Sequence, residues 1–161
     1  MKKLFITILC SALFSQVTSD YTFNTAESVS LAGANVSNVG GYWSLYSNPA
    51  TLVDVTDSKL SVGSSSILGQ SFLKQSSIGI IVNKFNKRLG LKYTSFSVNY
   101  SSKELLTENL IGLVSAVNLL KDKNSSLSLG LSANYYMVKY GPSAGPSGDG
   151  SDGLSNGDII G

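Results

Sequence analysis

Residues 141–145 (Gly-Pro-Ser-Ala-Gly) and 153–157 (Gly-Leu-Ser-Asn-Gly) both spell G-x-S-x-G, the turn on which hydrolases of one large fold expose a nucleophilic serine. Such a serine needs a base to take its proton, ordinarily a histidine, and the chain contains none. Two matches in a Gly- and Ser-rich stretch are therefore chance, and Ser143 and Ser155 are not read as nucleophiles. Gly150-x-Asp152-x-Leu154 resembles half of a calcium-binding nonapeptide repeat, but a stacked calcium site needs repetition and this unit occurs once. Asp149 and Asp152 read as solvated residues of a flexible external loop over 141–157. The carboxylates are not grouped at zinc-ligand spacing, and there is no G-x-x-x-x-G-K phosphate loop. No catalytic residue, metal or cofactor is expected, and an enzyme is the poorest reading of the chain.

A second constellation is structural in character. Trp43, the single tryptophan, is flanked by Tyr42 and Tyr46 and followed by Asn48-Pro49-Ala50. Aromatics placed so could line an apolar ligand path, or could serve as packing anchors; the area an aromatic buries favours the anchor. Pro49 fixes φ and has no N–H to leave unsatisfied, so it can open a helix, with Asn48 as its cap. Gly40-Gly41 would break the small-residue segment that precedes it, which contains Leu31, Gly33 and Ala34.

What must position these residues is set by an address at the N-terminus. Lys2 and Lys3, an apolar core over 4–14 and small residues at 17–19 read as an export signal, too short to span a bilayer as a helix. Leu9 before Cys10 is too bulky for lipoprotein processing. Removing residues 1–19 would remove the only cysteine and two of the twelve basic residues, leaving ten Lys and Arg against ten Asp and Glu. No disulfide could then form. A neutral chain without a basic stripe also argues against a nucleic-acid partner, whose phosphates supply most of that affinity.

Only 14% of residues are charged, where soluble domains carry about a quarter. No long apolar run follows the signal, but period-two alternation does. It is cleanest over 126–135, where Leu127, Leu129, Leu131, Ala133 and Tyr135 share one face and Ser, Gly and Asn the other. That length suits a tilted membrane strand better than an ordinary globular one, making Leu127, Leu129 and Leu131 lipid-facing. Weaker strands are expected at 59–68 and 76–85, the latter with Ile81 and Phe85 off the main face. From 88 the apolar residues are odd-numbered through Tyr93 and even-numbered from Phe96, which predicts a β-bulge near Thr94-Ser95.

Residues 109–120 are ambiguous. Leu106, Leu110, Leu113, Val114, Val117 and Leu120 also recur at helical spacing. The connections favour a strand: tight turns at Asn86-Lys87 and at 121–124 alternate with longer loops at 101–108 and 141–157, as in outer-membrane barrels.

The residues S-L-A-G-A at 30–34, S-N-P-A-T-L at 47–52 and L-S-L-G-L-S-A-N-Y at 127–135 together resemble the FadL-like outer-membrane proteins. Within that group the chain is most similar to the PorV and PorQ branch associated with type IX secretion and to related exported proteins, over residues 26 to the end. The resemblance implies an all-β antiparallel transmembrane β-barrel with a short N-terminal helical plug. Asn48, Pro49 and Ala50 match the turn of that plug, and Leu31, Gly33 and Ala34 the small-residue segment before it. At 40–43 the chain has Gly-Gly-Tyr-Trp where the family usually carries acidic residues, so a carboxylate role in the lumen does not carry over.

The expected organisation is a signal peptide over 1–19, a plug over 20–57 and a partial barrel wall over 58–161. Five strands, with 157–161 beginning a sixth, are fewer than the eight or so that a barrel needs, so an N-terminal fragment of a longer protein is expected. The implied role is a conduit for apolar molecules, or a secretion-associated component receiving exported cargo, in the outer membrane of a Gram-negative-type envelope. The partners would be the lipid bilayer and apolar small molecules or cargo proteins. The alternative is an exported soluble or surface β-protein with structural or adhesive work.

Overall fold

The alternation organises the chain into one antiparallel sheet. The computed structural model describes residues 41–84, 87–142 and 157–160. Within them lie six strands in sequential order: β1 (Lys59–Ser66), β2 (Leu73–Lys84), β3 (Lys87–Tyr100), β4 (Lys103–Lys121), β5 (Ser126–Tyr140) and β6 (Gly157–Ile160). Each pairs antiparallel with the next, β1 and β6 form the edges, and the sheet is all-β and not closed. Two short 3-10 pieces, Tyr42–Leu45 and Pro49–Asp54, precede β1 and lie against one face, called here the inner face.

The register produces rows that cross every strand. On the outer face Val62, Ile78, Tyr93, Ile111 and Tyr135 align, and beside them Leu60, Ile80, Leu91, Leu113 and Ala133. The large apolar side chains of both rows are exposed, as are Val82, Leu89, Val117, Leu127, Leu129 and Leu131 beyond them. One row in the other direction the outer face turns polar through Ser64, Ser76, Ser95 and Asn109, with Met137 closing the row, followed by Lys74, Ser97, Thr107 and Lys139. The inner face changes oppositely. It carries Gly, Ser, Lys and Asn opposite much of the apolar band, and becomes mixed opposite the polar rows, where Phe96, Val98, Leu106, Leu110 and Val138 stand beside Gln75, Thr94 and Glu108.

This reversal explains two readings that the structure changes. The phase slip at Thr94-Ser95 is not a bulge: β2 and β3 stay in register there, and the apolar residues move to the inner face because the polarity of both faces inverts at that height. Register shifts occur instead in β4, where Leu105 is passed over between the partners of Val98 and Asn99, and Leu119 between Asn118 and Leu120. Residues 109–120 belong to the 19-residue strand β4. Their helical spacing arises because Leu106, Leu110 and Val114 face inward while Leu113, Val117 and Leu120 face outward. Ile81, off the main apolar face of β2, is 1% exposed because it meets the N-terminal segment.

The connections also differ from expectation. No longer loop occupies 101–108: Ser101 and Ser102, with φ of 49° and 63°, form a two-residue hairpin turn and β4 begins at Lys103. Residues 122–125 make the expected tight turn, with Asp122 N–H donating to Ser125 O at 2.8 Å. The first strand stops at Ser66, short of Leu68, which takes φ 53° within a 3-10 turn. Asn86, Phe85 and most of the 141–157 loop lie outside the described residues.

Two consecutive positive φ angles suit Asn-Gly, and serine pays for left-handed backbone without a compensating amide contact. Replacing Ser101-Ser102 by Asn-Gly is expected to stabilise the fold by about 1 kcal/mol, read as a raised denaturant midpoint with unchanged slope.

Candidate functional site

The site is built where the N-terminal segment meets the inner face. Pro49 occupies the first turn of the second 3-10 piece, and Asn48 caps it, its Oδ1 accepting from Ala50 N–H at 3.1 Å. Thr51 Oγ1 lies 2.8 Å from Asn48 O and 2.9 Å from the buried Ser44 Oγ, tying the two 3-10 pieces together. Asn83 Nδ2 donates to Thr56 O at 2.6 Å and Val55 O at 3.3 Å, with Arg88 Nε donating to Val55 O at 3.4 Å, so the exit of the segment is fastened to the β2–β3 hairpin.

Seating this segment requires absent side chains. A Cβ on Gly90 would collide with Leu45, and one on Gly130 with the Pro49-Ala50 backbone. With that room Leu45, Leu52, Val53 and Val55 pack on Ile81, Val114 and Ala116 to form the buried core. Trp43 is 7% exposed, its ring lying against Gly41. Burial on that scale is what a packing anchor shows.

Beside the seated segment runs the inner-face row Gly79, Lys92, Gly112, Asn134. Tyr46 reaches over Gly79, its hydroxyl donating to Ile78 O at 3.2 Å, and Lys92 Nζ stands 5.8 Å from the Tyr46 ring centroid. Lys92 and Asn134 converge over Gly112: a Cβ there would lie 2.5 Å from both Asn134 Oδ1 and Lys92 Cε. Lys92 is 6% exposed, and Asn134 Oδ1 is buried with no hydrogen-bond partner. The Lys92 side chain is thus buried along its stem, and the one orphaned polar atom beside it is the Asn134 oxygen, a group that costs stability while it stays unpaired.

Of the residues singled out in the sequence, the structure brings Trp43, Asn48, Pro49 and Ala50 together in one segment against the sheet. Leu127, Leu129 and Leu131 lie on the opposite face, Leu131 66% exposed. Leu31, Gly33 and Ala34, with Ser143, Asp149, Asp152 and Ser155, lie outside the described residues, and Tyr42 is placed by backbone alone. Among the described residues no group of three or more His, Cys, Asp or Glu could hold a metal ion. Lys92, Gly112 and Asn134 were not legible as a cluster, because each sits on the polar phase of its own strand. The available signal was glycine on that same phase, at Gly90, Gly112 and Gly130, marking where something lies close to the sheet.

Compared with known proteins, the chain matches no family model, no curated protein and no solved structure.

Two outcomes are expected from substitution. Gly90→Val would drive Leu45 from its seat and destabilise the fold by about 1–3 kcal/mol, with cleavage of residues 42–55 by added protease rising in parallel. Trp43→Ala would cost about 3–5 kcal/mol of thermal stability if the ring is an anchor; unchanged stability with lost ligand uptake would assign it to a ligand path.

Proposed function

We propose that the chain supplies wall strands and an N-terminal plug of an outer-membrane β-barrel of the FadL-like type, acting as a conduit for apolar molecules. The observation that carries this reading is the uncovered apolar band crossing β1 to β5, bounded along one edge by a polar row. Soluble proteins rarely leave so broad an apolar face in water. Along β5 the band runs from Leu127 to Tyr135, a rise of about 20 Å along the membrane normal at ordinary barrel tilt, near the ~25 Å of such bands. Tyr93 and Tyr135 stand in its last row, where barrels place aromatic girdles.

The strands favour the same reading by length, β2 to β5 having 12, 14, 19 and 15 residues. Strands of globular proteins average about 5–6. The 3-10 segment, packed on the inner face and tied at its exit, supports the reading of a plug. Past it the inner face presents Phe96, Val98, Leu106, Leu110 and Val138 together with Gln75, Thr94 and Glu108, a mixed lining in which the apolar residues support passage of apolar molecules. The export signal read at 1–19 agrees with an envelope location. In lipid the edges at β1 and β6 need strand partners, from further strands or other copies, since unpaired backbone groups cost several kcal/mol each.

Membrane contact is tested by single cysteines in a Cys10→Ser background, in isolated envelope membranes. A fluorophore on Leu129→Cys is expected to be quenched by lipid-borne nitroxides, and one on Ser97→Cys by aqueous iodide. Equal iodide quenching at both positions would discard the barrel and favour a soluble or surface β-protein.

A further inference from the structure

We infer that the tips of the β2–β3 and β4–β5 hairpins form a contact surface for anionic phospholipid headgroups, in which Lys84, Lys87, Lys121 and Lys123 meet phosphates and the outward apolar residues just before them lie among acyl chains. The inference rests on the membrane reading above and adds to it a lipid class and the end of the sheet that selects it.

The two hairpins repeat one order of residues. In the first, the outward pair Val82 and Leu89 is followed two positions on by Lys84 paired with Lys87, the last pair before the turn. In the second, the outward pairs Val117 with Leu129 and Leu120 with Leu127 are followed by Lys121, paired with Ser126, and by Lys123 in the turn. Lys121 and Lys123 are exposed. Asp122, whose N–H closes the turn on Ser125 O, is the one carboxylate within 84–87 and 121–125. Asp54 and Asp57, at the same end, belong to the N-terminal segment and its exit, where Arg88 Nε donates to Val55 O. The turns at the opposite end lack this charge. Residues 67–72 contain no charged side chain, and at the β3–β4 turn Lys103 is followed by Glu104. Lys74 and Lys139 stand three strands apart on the polar rows, with Ser97 and Thr107 between them.

The second hairpin shows why the anion is a lipid. β3 meets β4 only as far as Arg88 and Ala116, so Val117–Lys121 and the strand opposite project past the first hairpin. On the inner side of this projection Ser128 Oγ donates to Asn118 Oδ1 at 2.9 Å, holding the two strands together. The outer side presents Val117, Leu119, Leu120, Leu127 and Leu129, all exposed. A soluble polyanion would leave these side chains in water. A phospholipid covers them with its chains and brings its phosphate to the lysines at the end, whose flexible stems reach the headgroup level.

Lipid selectivity is measured on the full chain in mixed bilayers of phosphatidylcholine and phosphatidylglycerol, with a fluorophore on Val117→Cys or Ile111→Cys in the Cys10→Ser background. At Val117→Cys, nitroxide-labelled phosphatidylglycerol is expected to associate about fivefold more strongly than labelled phosphatidylcholine, with little preference at Ile111→Cys. Replacing the four lysines together (Lys84→Gln, Lys87→Gln, Lys121→Gln, Lys123→Gln) should abolish the preference. Raising salt from about 0.1 M to about 1 M should do the same in the wild-type lysine background, because the Debye length falls from about 10 to about 3 Å. Lys74→Gln with Lys139→Gln should leave the preference unchanged. Equal quenching by the two lipids at Val117→Cys, the same preference at Ile111→Cys, or a preference that survives the four substitutions would overturn this inference alone. Absence of quenching by either lipid at both positions would overturn the membrane reading and this inference with it.

Discussion

The register that sets Gly79, Lys92, Gly112 and Asn134 in one row is the constraint on which the rest depends. Side chains alternate across a sheet, so a slip of one residue in any strand would exchange its faces. Leu91 and Leu113 would then crowd the space that Leu45 occupies, and Lys92 would point into the apolar band. The glycines under Leu45 and under the Pro49-Ala50 backbone make the correct register the one that accepts the N-terminal segment. Seating the segment and choosing the register are thus the same packing event.

Both faces change polarity along the strands, and in opposite senses. Opposite much of the uncovered apolar band the inner face is small and polar, apart from the patch where Leu52, Val53 and Val55 cover Ile81 and Val114. Opposite the polar rows it carries Phe96, Val98 and Val138, with Gln75 and Glu108 in the same row as Phe96. A half-buried soluble strand commonly keeps one face apolar throughout, and the crossover at one height in neighbouring strands departs from that pattern. The proposed membrane edge and the apolar approach to the plug rest on this crossover.

The crossover also shows why part of the fold was hard to read in advance. In β5 the alternation is nearly unbroken over 126–135, because that stretch stays on one side of the crossover, and Leu127, Leu129 and Leu131 were legible as one exposed face. In β3 and β4 the polarity changes face along the strand, and the change looked like a bulge at Thr94-Ser95 in one and like helical spacing in the other. The hairpin at Ser101-Ser102 was hidden because serine gives little warning of positive φ.

The sequence by itself determined the local terms: period-two strands, the Asn48 cap and Pro49 start, the absence of histidine and hence of the usual serine chemistry, and an apolar face on β5. Each depends on neighbours a few residues apart, which a one-dimensional pattern records. Tertiary structure alone decided that Leu45 rests over Gly90, that Pro49-Ala50 crosses Gly130, and that Lys92 and Asn134 meet over Gly112. Those meetings join residues about twenty to eighty positions apart through the accumulated register of the strands between them, and nothing within any one strand specifies that sum.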